Sequence, residues 1–216
     1  IKKTINTVGG FILWGGAINL APADDKVIKV ENPLSIDAEG QMLASIMAKK
    51  ASVCATHLLV EIPIGKGCKV ATEKRAIHLK NHFEHLGVEL GIDVCVLIED
   101  GSEPVGNGIG PVLEARDCLK VLKNDLKAPR DLIEKSLRMA GVLLEYSKKA
   151  ERGRGYGLAQ ELLENGSAYK KFLEIVKAQG GRTPINLEHL KTANYTSDVK
   201  AKKTGVISSI DNFAIS

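Results

Sequence analysis

Apolar positions along this chain follow two periods. From Gly40 to Ser52, the residues Met42, Leu43, Ile46, Met47 and Ala51 fall at helical spacing, and Lys49 and Lys50 occupy the last turn, where cations complement the helix dipole. Leu58–Ile64 is instead a near-continuous apolar run bounded by Gly65-Lys66-Gly67, which predicts a buried strand feeding a glycine loop. Thr72 stands where a cap belongs for a long helix with the stripe Ala76, Ile77, Leu79, Phe83, Leu86 and Leu90, and Gly91 closes it. Val94–Ile98 is the next strand. A glycine-rich loop, 101–110, then leads into a helix carrying Leu113, Ala115, Leu119 and Leu122. Strand, helix, strand, helix in that order predicts a right-handed crossover and a parallel strand pair.

The flanks are more helical. IKKTINTVGG predicts a short helix stopped by its glycine pair, and FILW after it a brief buried strand. Ala21-Pro22-Ala23-Asp24-Asp25 reads as a turn. Beyond Pro129 the spacing predicts helices over 132–147, 158–164 and 168–179, the last capped by Ser167. Between the first two, RGRGYG (Arg152–Gly157) reads as a flexible basic loop. Residues 196–208, TSDVKAKKTGVIS, place a Lys203-Thr204-Gly205 turn between two short alternating runs and predict a hairpin. There is no internal repeat.

Aromatic residues make up only 4% of the chain, against 44% hydrophobic residues in all, so the core must be aliphatic and packed with Ala and Gly. That favours helices on a sheet over a sandwich built on large rings. The four cysteines, Cys54, Cys68, Cys95 and Cys118, form no CxxC pair, and no stretch reads as a signal peptide or as about 18 apolar residues in a row. A reducing cytoplasm, with no membrane association, is the expected setting. The net charge of +4 is carried by scattered lysines, so charge alone implies no nucleic-acid partner. The chain opens on Ile1 and stops within an apolar pattern, and both ends read as boundaries inside a longer protein.

Three runs carry a resemblance: LAPADD at Leu20–Asp25, LASIMAKK at Leu43–Lys50 and GPVLEARD at Gly110–Asp117. In this order and at this spacing they resemble the thymidine phosphorylase and AMP phosphorylase family, whose members cleave a nucleoside or nucleotide with inorganic phosphate. The resemblance is strong through roughly the first 125 residues and thin beyond. It implies an α/β fold: a segment of a small helical lobe plus a mixed α/β lobe of parallel strand-helix units, with a helix-rich C-terminal half. The implied division is 1–18 as the end of a first α/β segment, 19–52 as helical lobe, 53–195 as α/β lobe, and 196–216 as the start of a truncated hairpin. The family's Gly/Ser-rich phosphate loop, of the form KHSxGG, is absent from these residues, so the fragment is expected to be inactive by itself. The full-length protein is expected to be a homodimer through its helical lobe, with phosphate as co-substrate and neither a cofactor nor a metal.

Phosphorolysis needs phosphate near the anomeric carbon and a grip on the base that strengthens as negative charge develops there. Asp37 matches the family's proposed proton donor to the base, eight residues before Ser45. Its carboxyl can serve only if desolvation raises its pKa, and it is equally placed to N-cap the following helix. Ser45 and Lys49 lie four apart, hence on one helix face, and match the residues that bind the base carbonyls. Unaided, each reads as a surface or core-edge residue.

Two positions depart from the pyrimidine enzymes. Counting from Asp24 puts Glu31 where they carry a base-gripping arginine, which a carboxylate cannot replace, although one missing residue leaves that register open by one. Lys69, in GKGCKV, stands where they are aromatic and where AMP phosphorylases have a nucleotide-binding lysine. A cation after a glycine loop suits a 5′-phosphate, though GxxxxGK[ST] is absent.

Other constellations read as structure. Gly106–Gly110 fails GxGxxG, because its third glycine comes one residue early, and predicts a tight turn. Glu114 and Arg116 read as an ion pair or helix-end contacts. His78, His82 and His85 share one helix at spacings of four and three, which could hold a metal at two of them, but no carboxylate or cysteine constellation completes the site and HExxH is absent, so they read as solvent-facing histidines. The alternative function is a helical RNA-binding or scaffold module resting on RGRGYG, for which stacking aromatics are few.

Overall fold

The computed structural model describes residues 1–13, 23, 26, 27, 29, 30, 38–186 and 190–215. In chain order its elements are α1 (Lys2–Val8), α2 (Glu39–Ser52), β1 (His57–Ile64), α3 (Glu73–Leu90), β2 (Asp93–Asp100), α4 (Pro111–Leu122), α5 (Arg130–Tyr146), α6 (Gly155–Glu164), α7 (Ser167–Ala178) and α8 (Asn212–Ile215). The class is mixed α/β with a parallel two-stranded sheet, as the strand-helix-strand pattern predicts. The chain divides into two compact units, Ile12–Gly101 on one hand, and Ile1–Phe11 with Ser102–Ser216 on the other.

In the Ile12–Gly101 unit, β1 and β2 pair in parallel from His57 opposite Asp93 to Ile64 opposite Asp100, with α3 as the connection. α3 starts where Thr72 Oγ1 accepts the Arg75 amide and ends at Gly91, whose left-handed φ of 67° a side chain would resist. Its buried stripe is Ala76, Leu79, Phe83 and Gly87. Ile77 and Leu90, assigned to that stripe by spacing, are about half exposed, because a helix on a two-stranded sheet covers only a narrow arc. Leu43 and Met47 of α2 join Ile62, Val70, Val94 and Val96 against the α3 stripe to close one aliphatic core around Phe83.

In the other unit, Val121, Ala128, Leu137, Ala159 and Leu163 form the core. RGRGYG is only in part a loop: Arg152 to Arg154 form an exposed turn, whereas Gly155 is buried and opens α6, packed backbone to backbone against α5. A Cβ on Gly155 would lie 2.1 Å from the Gly141 carbonyl oxygen, so only glycine permits this approach. The Gly155 amide donates to Glu145 Oε1 at 2.8 Å, and the Gly153 and Gly155 amides hold that carboxyl below its ordinary pKa.

Three further expectations differ from the structure. Phe11 to Leu13 form no strand, and Trp14 lies outside the described residues. α7 is capped by Gly166, with Asn165 Oδ1 accepting the Ser167 amide at 2.9 Å. Residues 196–208 carry no strand; Val199, Val206 and Ile207 are largely exposed, and a lone hairpin with no face to bury is marginal in water.

Candidate functional site

Helix α2 turns its buried Leu43 and Met47 into the core, which puts Ser45 and Lys49 roughly opposite them at about 100° per residue. Both are nevertheless half-buried. Lys49 Nζ donates to Ser45 Oγ at 3.2 Å, so the ammonium and hydroxyl expected to act together are in direct contact. A hydroxyl carries one donor and an ammonium three, so the pair concentrates hydrogen-bond donors on one side of α2.

α2 begins with Ala38 at its N-cap and no side-chain cap, which places Asp37 one residue before the capping position. Asp37 and Glu31 themselves lie outside the described residues.

Lys69 rides a loop that turns back beside β1. The Gly65 amide donates to the Val70 carbonyl, Ile64 and Val70 form a parallel bridge, and Gly67 takes a φ of 85° to complete the turn. Cys68 Sγ donates to the Gly101 carbonyl at 3.1 Å and ties the loop to the end of β2. Lys69 is exposed, and with Met42 and Ile46 of α2 and Glu61 of β1 it lines a cavity of about 200 Å³. The helix bearing Ser45 and Lys49 thus also walls the cavity that Lys69 lines.

In the second unit, carboxylates shape the 106–110 loop. Asp117, only 4% exposed, accepts the Asn107 and Gly108 amides at 2.8 and 2.7 Å through Oδ2, and Lys120 Nζ at 3.1 Å through Oδ1. Asp131 takes the Gly106 amide, and Glu114 the Gly110 amide. Arg116 donates to the Leu190 carbonyl, so Glu114 and Arg116 make loop and chain contacts. Burial pushes the Asp117 carboxyl up, but the two amides and the Lys120 ammonium outweigh it and hold the pKa below the usual carboxylate value. Asp117→Asn should accordingly cost about 2–3 kcal/mol at neutral pH, because it weakens a buried charge-assisted network. With the folded pKa below the unfolded one, this contribution is complete above the ordinary Asp range and is lost as pH falls through the depressed value. Urea unfolding of both proteins at neutral and acid pH should show the difference shrinking in acid.

One constellation is assembled only by the packing of α2 on α3. Glu39, in the first turn of α2, reaches α3: its Oε1 lies 3.2 Å from His78 Nε2 and its Oε2 3.7 Å from Arg75 Nε. His78 and His82 approach through their Nε2 atoms at 3.2 Å, ring edge to ring face. His85 stands apart from this group. The two histidines were legible at their four-residue spacing, whereas a carboxylate 39 positions upstream carries no local signal.

Among the described residues no helix is long and apolar enough to cross a membrane. No family model matches the chain. Curated relatives match it almost end to end. It is 46% identical over 211 residues to a Bradyrhizobium protein named "Putative thymidine phosphorylase", covering 98% of this chain and 40% of that protein. A protein of the same name from Rhodopseudomonas palustris is 47% identical over 211 residues, with the same coverage of each chain. One from Legionella pneumophila is 45% identical over 212 residues, covering 98% of this chain and 40% of that one. The chain spans about 40% of the length of the relatives it matches. Identity of 45–47% over 98% of its length places the chain in the thymidine phosphorylase family.

Proposed function

We propose that the full-length protein catalyses phosphorolysis of a nucleoside or nucleoside 5′-monophosphate, as a pentosyltransferase needing inorganic phosphate as co-substrate and no cofactor. A phosphate oxygen forms the new bond to the anomeric carbon, the bond from that carbon to the base nitrogen breaks, and its electron pair leaves with the base, which takes up a proton. Ser45 and Lys49 grip the base as this charge develops, and Asp37 is the proton donor. The observation that supports this most is the 3.2 Å contact of Lys49 Nζ with Ser45 Oγ on the half-buried side of α2. The full-length enzyme works as a homodimer in the cytoplasm.

The same reading favours a nucleotide over thymidine. Glu31 stands where a guanidinium would grip a pyrimidine, and Lys69 brings a cation to a cavity whose other lining is mostly apolar. A charge-assisted contact to a 5′-phosphate contributes roughly 1.5–3 kcal/mol, about ten- to a hundredfold in specificity. Phosphorolysis of thymidine, uridine and AMP by full-length wild type and Lys69→Ala tests this. AMP is expected to be the best substrate of the wild type, and its advantage should collapse in the variant. Thymidine ranking first, unchanged by the substitution, would restore the pyrimidine assignment. The isolated 216-residue chain, assayed alongside, is expected to release no base, since it contains no Gly/Ser-rich phosphate loop.

A further inference from the structure

We propose that Glu39, His78 and His82 form a divalent transition-metal site of the zinc class, which clamps the start of α2 onto α3. One donor atom of each residue lies within 4.8 Å of the other two, and two of the separations, Glu39 Oε1 to His78 Nε2 and His78 Nε2 to His82 Nε2, are 3.2 Å. Zinc bonds of about 2.0–2.1 Å at a tetrahedral angle put neighbouring ligand atoms about 3.3 Å apart, close to both values.

Hydrogen bonding accounts poorly for this arrangement. His78 Nε2 faces a carboxylate oxygen and a second imidazole nitrogen at equal distance, yet it carries either one proton or one lone pair. A proton there points well at one neighbour, not at both. A cation among the three atoms takes a lone pair from each. His78 and His82, four apart on α3, present their rings on one helix face, the geometry that chelates a metal from a single helix.

Glu39 supplies the ligand that the α3 spacing lacks. Its Oε2 is turned to Arg75 Nε at 3.7 Å, an outer partner that orients the carboxylate and leaves Oε1 for the metal. Two imidazoles and one carboxylate suit zinc and its borderline neighbours better than calcium or magnesium, which want an all-oxygen set. Both histidines are exposed, so a metal can enter directly and solvent can complete its coordination. The site joins residues from two helices packed together in one unit, and its filling should tighten α2, the helix carrying Ser45 and Lys49.

The test is zinc titration of metal-free full-length protein by calorimetry, with cobalt(II) as the optical probe. Wild type should bind zinc with a rise in thermal midpoint that chelator reverses. Its cobalt form should show tetrahedral visible bands without the charge-transfer absorption of thiolate ligands, which separates this site from the four cysteines. His82→Ala, His78→Gln and Glu39→Gln should each weaken binding at least as much as the roughly 10- to 100-fold lost when an outer partner is removed. His85→Ala, on the same helix but outside the cluster, should bind like wild type. Because all four changes are at solvent-accessible positions, folding is checked by circular dichroism, and a second ligand variant stands in for any that misfolds. Zinc affinity unchanged in folded His82→Ala and Glu39→Gln, or no zinc-dependent shift in wild type, overturns the proposal.

Discussion

Phe83→Ala is expected to cost the Ile12–Gly101 unit about 3–5 kcal/mol, the range for removing a large ring from a packed core. Phe83 is 2% exposed and lies between Leu79 and Gly87 on the buried stripe of α3, within one cluster with Met47, Val70 and Val96. Among the described residues of that cluster Phe83 is the only ring, and the aliphatic walls relax only in part. Native-state hydrogen exchange at the β1–β2 amides reads the effect directly, as a loss of protection of about two to four orders of magnitude if those amides open with the unit. Val88→Ala supplies the contrast: on the same helix, at 78% exposure, it should leave that protection unchanged. Equal losses in both variants would place the stability of the unit elsewhere.

Lys49→Ala in the full-length enzyme is expected to lower kcat/KM by about 30- to 1000-fold, equivalent to about 2–4 kcal/mol of transition-state stabilisation, and Ser45→Ala by a similar factor. The expectation follows from charge: a cation that contacts a leaving base gains most when the base takes up the bonding electrons. The 3.2 Å contact couples the two residues, so the double variant should lose less than the sum of the single losses. Helix α2 should stay folded in each case, because Leu43 and Met47, which anchor it, are untouched. Near-wild-type kinetics for both single variants would assign this side of α2 to structure and remove the proposed grip on the base.

These expectations mark how far the amino-acid order reaches. β1, α3 and β2 are readable because each rests on a local signal: an apolar run, a 3.6-residue stripe, a threonine cap and a closing glycine. The Ser45–Lys49 contact is local too, since four residues make one helical turn. RGRGYG misleads because glycines that suit a flexible loop equally suit two backbones in contact, and only the presence of Gly141 opposite Gly155 tells the two apart. The failed hairpin at 196–208 has acceptable alternation and turn residues but no core to cover.

By itself the sequence determined the class of fold, the strand-helix-strand order, the family and the pairing of Ser45 with Lys49. Tertiary structure alone decided that Lys69 and α2 line one cavity, that Asp117 holds the amides of Asn107 and Gly108, and that Glu39 meets His78 and His82. The difference is physical. Backbone hydrogen bonding and side-chain period act within a few residues, and so leave a mark in any short window. Which side chains meet across packed helices depends on where those helices settle against a shared core, a property of the whole unit that no single window contains.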